Sequence, residues 1–119
     1  MSRQEWAYEL FKTIDSMDAG KFSGFFTENA RFRFGNAEPV TGRDNIKEMV
    51  AGFYSSINAL SHDVTEMVEQ GDRLVCRGEV TYTRKDSRKV TYPFMNYYRL
   101  DGDLAADYQI YVDASGLYA

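Results

Sequence analysis

The amino-acid sequence predicts an α+β fold in which a strongly curved, mostly antiparallel sheet wraps around N-terminal helices. Two patterns carry that prediction. Near the start, Trp6, Ala7, Leu10, Phe11, Ile14 and Met17 recur at helical spacing and form one apolar stripe. From Leu74 to Val112 the period falls to two. Leu74, Cys76, Val80 and Tyr82 share one face of a first strand, and Val90, Tyr92, Phe94, Tyr98 and Leu100 share one face of a second. Ala106, Tyr108, Ile110 and Val112 do the same on a third. The intervening positions carry Arg77, Glu79, Thr81, Thr83, Thr91, Arg99, Asp107, Gln109 and Asp113, so the opposite face is largely wet. Helices followed by an antiparallel meander give an α+β order, not alternating β and α. A twisted sheet curling around a helix leaves a conical space, and part of it can stay open as a ligand cavity.

The elements follow in order. The first helix is expected to stop near Asp18-Ala19-Gly20, with Gly20 as its C-terminal cap. Asp18 then caps a short second helix carrying Phe22, Phe25 and Phe26. Ala30, Phe32 and Phe34 alternate with Arg31 and Arg33 in a strand that ends at Gly35-Asn36. Thr41-Gly42-Arg43-Asp44 has the spacing of a capping box opening a third helix, with Ile46, Met49, Val50, Phe53 and Ile57 inward. Leu60, His62 and Val64 begin another strand, and Gln70-Gly71-Asp72 turns it into the strand at Leu74. Lys85-Asp86-Ser87-Arg88 and Asp101-Gly102-Asp103 supply the last two hairpin turns.

Composition narrows the function classes. A chain of 119 residues supports one core, so residues 1–119 are expected to form one domain. A net charge of −4 with no basic run argues against nucleic acid or an anionic membrane surface as partner. The lone cysteine, Cys76, allows no internal disulfide and reads as a small buried hydrophobe. The first residues lack the apolar core of a signal peptide, and no run reaches membrane-spanning length, so a cytoplasmic location is expected. One histidine and one cysteine without ligand spacing predict no metal site. No glycine loop of phosphate-cradling type occurs either, and no cofactor is expected.

Three polar residues are candidates for chemistry. His62 is the only histidine, and strand parity places it with Leu60 and Val64. Its imidazole suits general acid or base work in a cavity, while an exposed residue at a strand start is the equally weighted alternative. Asp15 sits at the rim of the helical stripe, about one hundred degrees from Ile14. Beside His62 it would fix the imidazole tautomer and raise its basicity; on its own it is a solvated carboxylate near a helix end. Asn96 alone interrupts the aromatic face of its strand, and must find a partner in ligand, backbone or water. Phe34, Tyr82, Tyr92, Phe94, Tyr98, Tyr108 and Ile110 are expected to line the cavity, the tyrosines offering hydroxyls to a small apolar or aromatic ligand.

The run Met17 to Phe22, the run Phe26 to Phe32 and the segment Thr41-Gly42-Arg43-Asp44-Asn45-Ile46 resemble the opening of SnoaL-like domains. The ending, Leu100 to Leu104 followed by Asp107 to Asp113, fits the same pattern. These domains belong to the nuclear transport factor 2-like superfamily, with ketosteroid isomerase, scytalone dehydratase and limonene epoxide hydrolase. The resemblance implies a cone-shaped barrel with a hydrophobic pocket at its wide end, often a homodimer through the outer sheet face. It also matches His62 to a pocket histidine of scytalone-dehydratase-like members, and Asp15 to their catalytic aspartate. Asn96 falls where ketosteroid isomerase keeps a protonated aspartic acid, so its NH₂ would donate to a substrate carbonyl. Phe34 and roughly Thr13 replace that isomerase's base and oxyanion tyrosine. Glu79, Thr81 and Ile110 replace the polar set of the epoxide hydrolase, and no inward aspartate on the late strands matches the SnoaL cyclases. The resulting expectation is a cofactor-independent isomerase or dehydratase using Asp15, His62 and Asn96. The alternative is a non-catalytic module that binds a ligand or dimerises through Val75, Met95, Tyr97 and Tyr111.

Overall fold

Ser2 opens the first helix, α1 (Arg3–Asp15), with a reciprocal cap. Its hydroxyl accepts from the Glu5 N–H at 3.1 Å, and the Glu5 carboxylate accepts from the Ser2 N–H at 3.2 Å. The computed structural model describes all of Met1–Ala119. After α1 the chain reverses through Met17, which takes the left-handed conformation (φ 58°) where a glycine is usual. Gly20 is therefore not the cap of α1. It lies inside α2 (Ala19–Ser23), whose N-terminus is capped as expected by Asp18 accepting from the Lys21 N–H at 2.9 Å. Phe26 is a strand residue and not a helical one: it begins β1 (Phe26–Phe34).

β2 (Val40–Thr41) leads into α3 (Arg43–Ser55). The capping box expected at Thr41 does not form. Gly42, at φ 98°, is the N-cap, and Thr41 instead offers its carbonyl to the Asn45 side chain at 3.0 Å. Then come β3 (Ala59–Gln70), β4 (Arg73–Thr83), β5 (Lys89–Asp101) and β6 (Leu104–Val112). The six strands form one sheet in the order β2-β1-β6-β5-β4-β3. Every neighbouring pair is antiparallel except β1 with β6. The sheet is curved but not closed, with β2 and β3 as its edges. This is the α+β architecture predicted, and no helix is long and apolar enough to cross a membrane.

Two irregularities shape the sheet. Pairing of β3 with β4 slips between Val64 and Glu66, opposite Gly78. A Cβ added at Gly78 would overlap the Asp63 carbonyl oxygen, so only glycine allows β3 to bend this closely over β4. A second slip at Arg99/Leu100 pairs Leu100 with Ala105. Ala105 is accordingly the fully buried residue, and Ala106, expected inward, is only half-buried.

The concave face packs on α1 through Trp6, Leu10 and Phe11, all buried. Trp6 closes the base of the cone: its indole N–H donates to the Asp103 carbonyl at 2.7 Å, and its ring meets Tyr98 edge-on at 5.4 Å. The C-terminal segment straps across the outside of the α3–β3 junction. Leu117 is buried there, and Tyr118 and Ser56 share a hydroxyl–hydroxyl bond of 2.6 Å.

Candidate active site

Asp15 ends α1, and His62 is the fourth residue of β3, 47 positions later. Packing of α1 on the sheet brings them into contact. His62 Nδ1 lies 2.6 Å from Asp15 Oδ1, and the His62 backbone N–H donates to Asp15 Oδ2 at 3.1 Å. One carboxylate thus holds both the ring and the backbone of one residue, which fixes the ring's orientation. With Asp15 accepting, Nδ1 carries the proton and Nε2 presents its lone pair. Phe11 and Phe94 clamp the ring at centroid distances of 5.0 and 5.3 Å, the second edge-on. The His62 side chain is 10% exposed and that of Asp15 29%, so the pair sits at the boundary between core and solvent.

His62 forms part of the wall of a cavity of about 80 Å³ between α3 and the concave sheet face. Fifteen of its 17 lining residues are apolar or aromatic; the other two are His62 and Asn96. Half-buried Phe34, Met49, Phe53, Ile110 and Val112 rim the side that meets solvent. Of the residues expected to line it, Phe34, Tyr82, Phe94, Tyr108 and Ile110 do so. Tyr92 and Tyr98 do not. Tyr98 is wholly buried, against Trp6 and Tyr108, and Tyr92 lies beside Tyr82 with ring centroids 6.3 Å apart. Asp15 touches the cavity only through His62. The lining from α3 (Met49, Val50, Phe53, Tyr54) went unassigned to the cavity in the sequence, because a helical stripe reads as plain core.

Asn96 is 2% exposed, and its amide nitrogen donates to the Tyr98 hydroxyl at 3.1 Å. The NH₂ expected to donate to a substrate carbonyl is therefore already committed, and the atom left without a partner is the carbonyl oxygen, Oδ1. The hydroxyl of Tyr108, one step along the same face of the neighbouring strand, is also buried, with the Tyr98 hydroxyl beside it. Burial pushes the Tyr108 and Tyr82 phenols above their ordinary values, so both stay neutral. Tyr54 is raised mainly by burial, with Asp15 and Asp18 adding to it. Burial likewise pushes the Cys76 thiol up to about 12, which leaves it without thiolate character. Asp107 and Asp113 lie away from the cavity: Asp107 pairs with Arg31 at 3.3 Å, and Asp113 accepts from the Ser115 N–H. No three His, Cys, Asp or Glu side chains converge as a metal site would require.

Many solved structures share this architecture. A protein of the nuclear transport factor 2-like fold and unknown function from Burkholderia pseudomallei superposes with a TM-score of 0.88 at 17% identity, covering 100% of both chains. A ketosteroid isomerase-like protein from Catenulispora acidiphila, solved with trimethylamine, gives 0.88 at 15% identity over 98% of this chain and 91% of that one. A protein from Jannaschia, provisionally described as a SnoaL-like polyketide cyclase, gives 0.79 at 16% identity over 94% and 85%. At such identities the likeness speaks to fold. No curated protein matches the sequence. The sequence itself fits the SnoaL-like domain model over residues 7–108. Sequence model, strand order and helix placement agree, and the chain belongs to the SnoaL-like domain family.

Proposed function

We propose that this protein is a cofactor-independent isomerase or dehydratase that moves a proton on a small, largely apolar substrate. The observation that carries the reading is the 2.6 Å contact between Asp15 and the single histidine, at the wall of an apolar cavity. Asp15 holds His62 as the Nδ1–H tautomer, leaving Nε2 as the base. Nε2 takes a proton from carbon beside an oxygen-bearing carbon, and Asp15 stabilises the imidazolium that forms. Returning the proton to another carbon completes an isomerisation. Delivering it to a departing hydroxyl completes a dehydration and releases water. Neither route gains or loses electrons, so neither needs a redox partner. The apolar walls exclude bulk water and strengthen the Asp15–His62 interaction.

The test is hydrogen exchange at carbon. Small cyclic ketones, hydroxyketones and phenols are incubated with the protein in deuterium oxide, and deuterium uptake is followed by mass spectrometry. At least one compound class is expected to exchange. His62→Ala is expected to abolish that exchange, and Asp15→Asn to slow it by about 10²-fold or more. Absence of exchange across the set, or equal exchange with His62→Ala, would falsify the reading.

The outer sheet face supports a second proposal, self-association. Met95 and Tyr111 are register partners on β5 and β6, and they stand 43% and 59% exposed. Paired apolar side chains on a sheet face suit an isologous contact between two copies.

A further inference from the structure

We propose that Phe53 is the gate of the cavity and its size-selecting residue. Its ring closes the wide end over compact apolar ligands, and the last turn of α3 swings it aside for entry. This rests on the cavity being the substrate site, and says which shapes of substrate it accepts.

The first observation is where the ring sits. Phe53 comes from α3 and is half-buried, yet it meets both flanks of the sheet. Its centroid is 5.4 Å from that of Phe34 on β1 and 5.9 Å from that of Tyr82 on β4, the second pair edge-on. β6 and β5 lie between those two strands in the sheet, and their Ile110, Phe94 and Asn96 belong to the cavity wall. One side chain thus spans the concave face from flank to flank. Such a bridge covers what lies beneath it, here a cavity of about 80 Å³. That is smaller than the ~150 Å³ engineered void that admits benzene, so a fused bicycle fits only with the ring displaced.

The second observation is the backbone that carries the ring. Gly52 precedes Phe53 inside α3, exposed, with open space where a Cβ would stand. Glycine weakens a helix relative to alanine, and here neither close packing nor a positive φ requires it. The carbonyls of Gly52 and Phe53 also accept from the hydroxyls of Ser55 and Ser56, at 2.8 and 2.6 Å. Serine bonding back to the preceding turn loosens and bends a helix. A weak final turn carrying a bridging ring is what a gate needs, because little free energy separates its open and closed states.

The experiment is an NMR titration of the full chain with two neutral ketones of different size, cyclopentanone and 1-indanone. Apolar area alone favours the larger one. The wild-type chain is expected to reverse that order, binding cyclopentanone about tenfold more tightly, and Phe53→Ala to restore it. Met49→Ala, which removes another rim side chain of the same helix, is expected to keep the wild-type order. Gly52→Ala should slow cyclopentanone association and dissociation together, each by about fivefold, with the dissociation constant unchanged, because it stabilises the closed helix with and without ligand. Should Phe53→Ala fail to fold, a narrowed ratio in Phe53→Leu and the Gly52→Ala rates decide. An indanone preference in the wild type, an unchanged order in Phe53→Ala or an inversion by Met49→Ala overturns the proposal. So do unchanged rates in Gly52→Ala, or no binding of either ketone. His62→Ala should keep the wild-type order, so a failed gate is distinguishable from a failed acid–base reading.

Discussion

At the scale of single residues, Asp15 makes two contacts with one partner. It accepts from both the ring and the backbone of His62. Asp15→Ala is therefore expected to lower the unfolding free energy by about 1–3 kcal/mol, read from urea denaturation. It should also free the imidazole tautomer, so that ¹⁵N spectra show Nε2–H alongside Nδ1–H. An unchanged tautomer balance would mean that Asp15 does not orient the ring. His62 was legible from strand parity, and Asp15 from its place at the rim of the helical stripe. Their contact was not, since it depends on how a helix docks 47 residues away from its partner. The donor role expected of the Asn96 NH₂ failed for a similar reason. Which amide atom is free depends on the Tyr98 hydroxyl, and no spacing rule encodes that.

At the scale of elements, alternation placed β4, β5 and most of β6 correctly, because period-two patterning is a direct consequence of strand geometry. The bulges escaped it. Ala105 and Ala106 are identical residues, so a shift of one position leaves no mark on the pattern. Thr41 to Asp44 carried the letters of a capping box, yet Gly42 alone could take the φ of 98° that the entry to α3 requires. Gly78 gives the sharpest test at this scale. Gly78→Ala forces a methyl into the Asp63 carbonyl, and should cost at least about 2 kcal/mol in thermal or urea unfolding. His62 neighbours Asp63, so surviving folded protein should also show a disturbed imidazole signal. A neutral outcome would mean that β3 can retreat without loss. Ser2→Ala is expected to be milder, at about 1 kcal/mol, because it removes one reciprocal cap.

At the scale of the whole molecule, four tyrosines, Tyr54, Tyr82, Tyr98 and Tyr108, have phenols raised above their ordinary value of 10.0, each chiefly by burial. Burial favours their neutral form in the folded chain. Their contribution is fully present below about pH 10 and is lost as pH rises toward the higher folded-state values. Unfolding stability should therefore fall steeply above pH 10, with tyrosinate absorbance from these four appearing only as the fold is lost. Reversible ionisation of all nine tyrosines in the native chain would contradict this. For self-association, gel filtration is expected to give a dimer that Tyr111→Arg converts to monomer; a wild-type monomer would remove the proposal. Fold and family were readable across the chain because patterning is distributed over every element. The cavity was less so, since its shape comes from side chains of α1, α2, α3 and five strands meeting at once.

The lone tryptophan adds an optical consequence. Trp6 is 2% exposed and bonded to the β5–β6 turn, so its emission is expected to be blue-shifted while α1 lies on the sheet. Lifting α1 exposes the indole and, in the same motion, carries Asp15 away from His62. Fluorescence of one native residue thus times the assembly of the Asp15–His62 pair, with no label and no substrate.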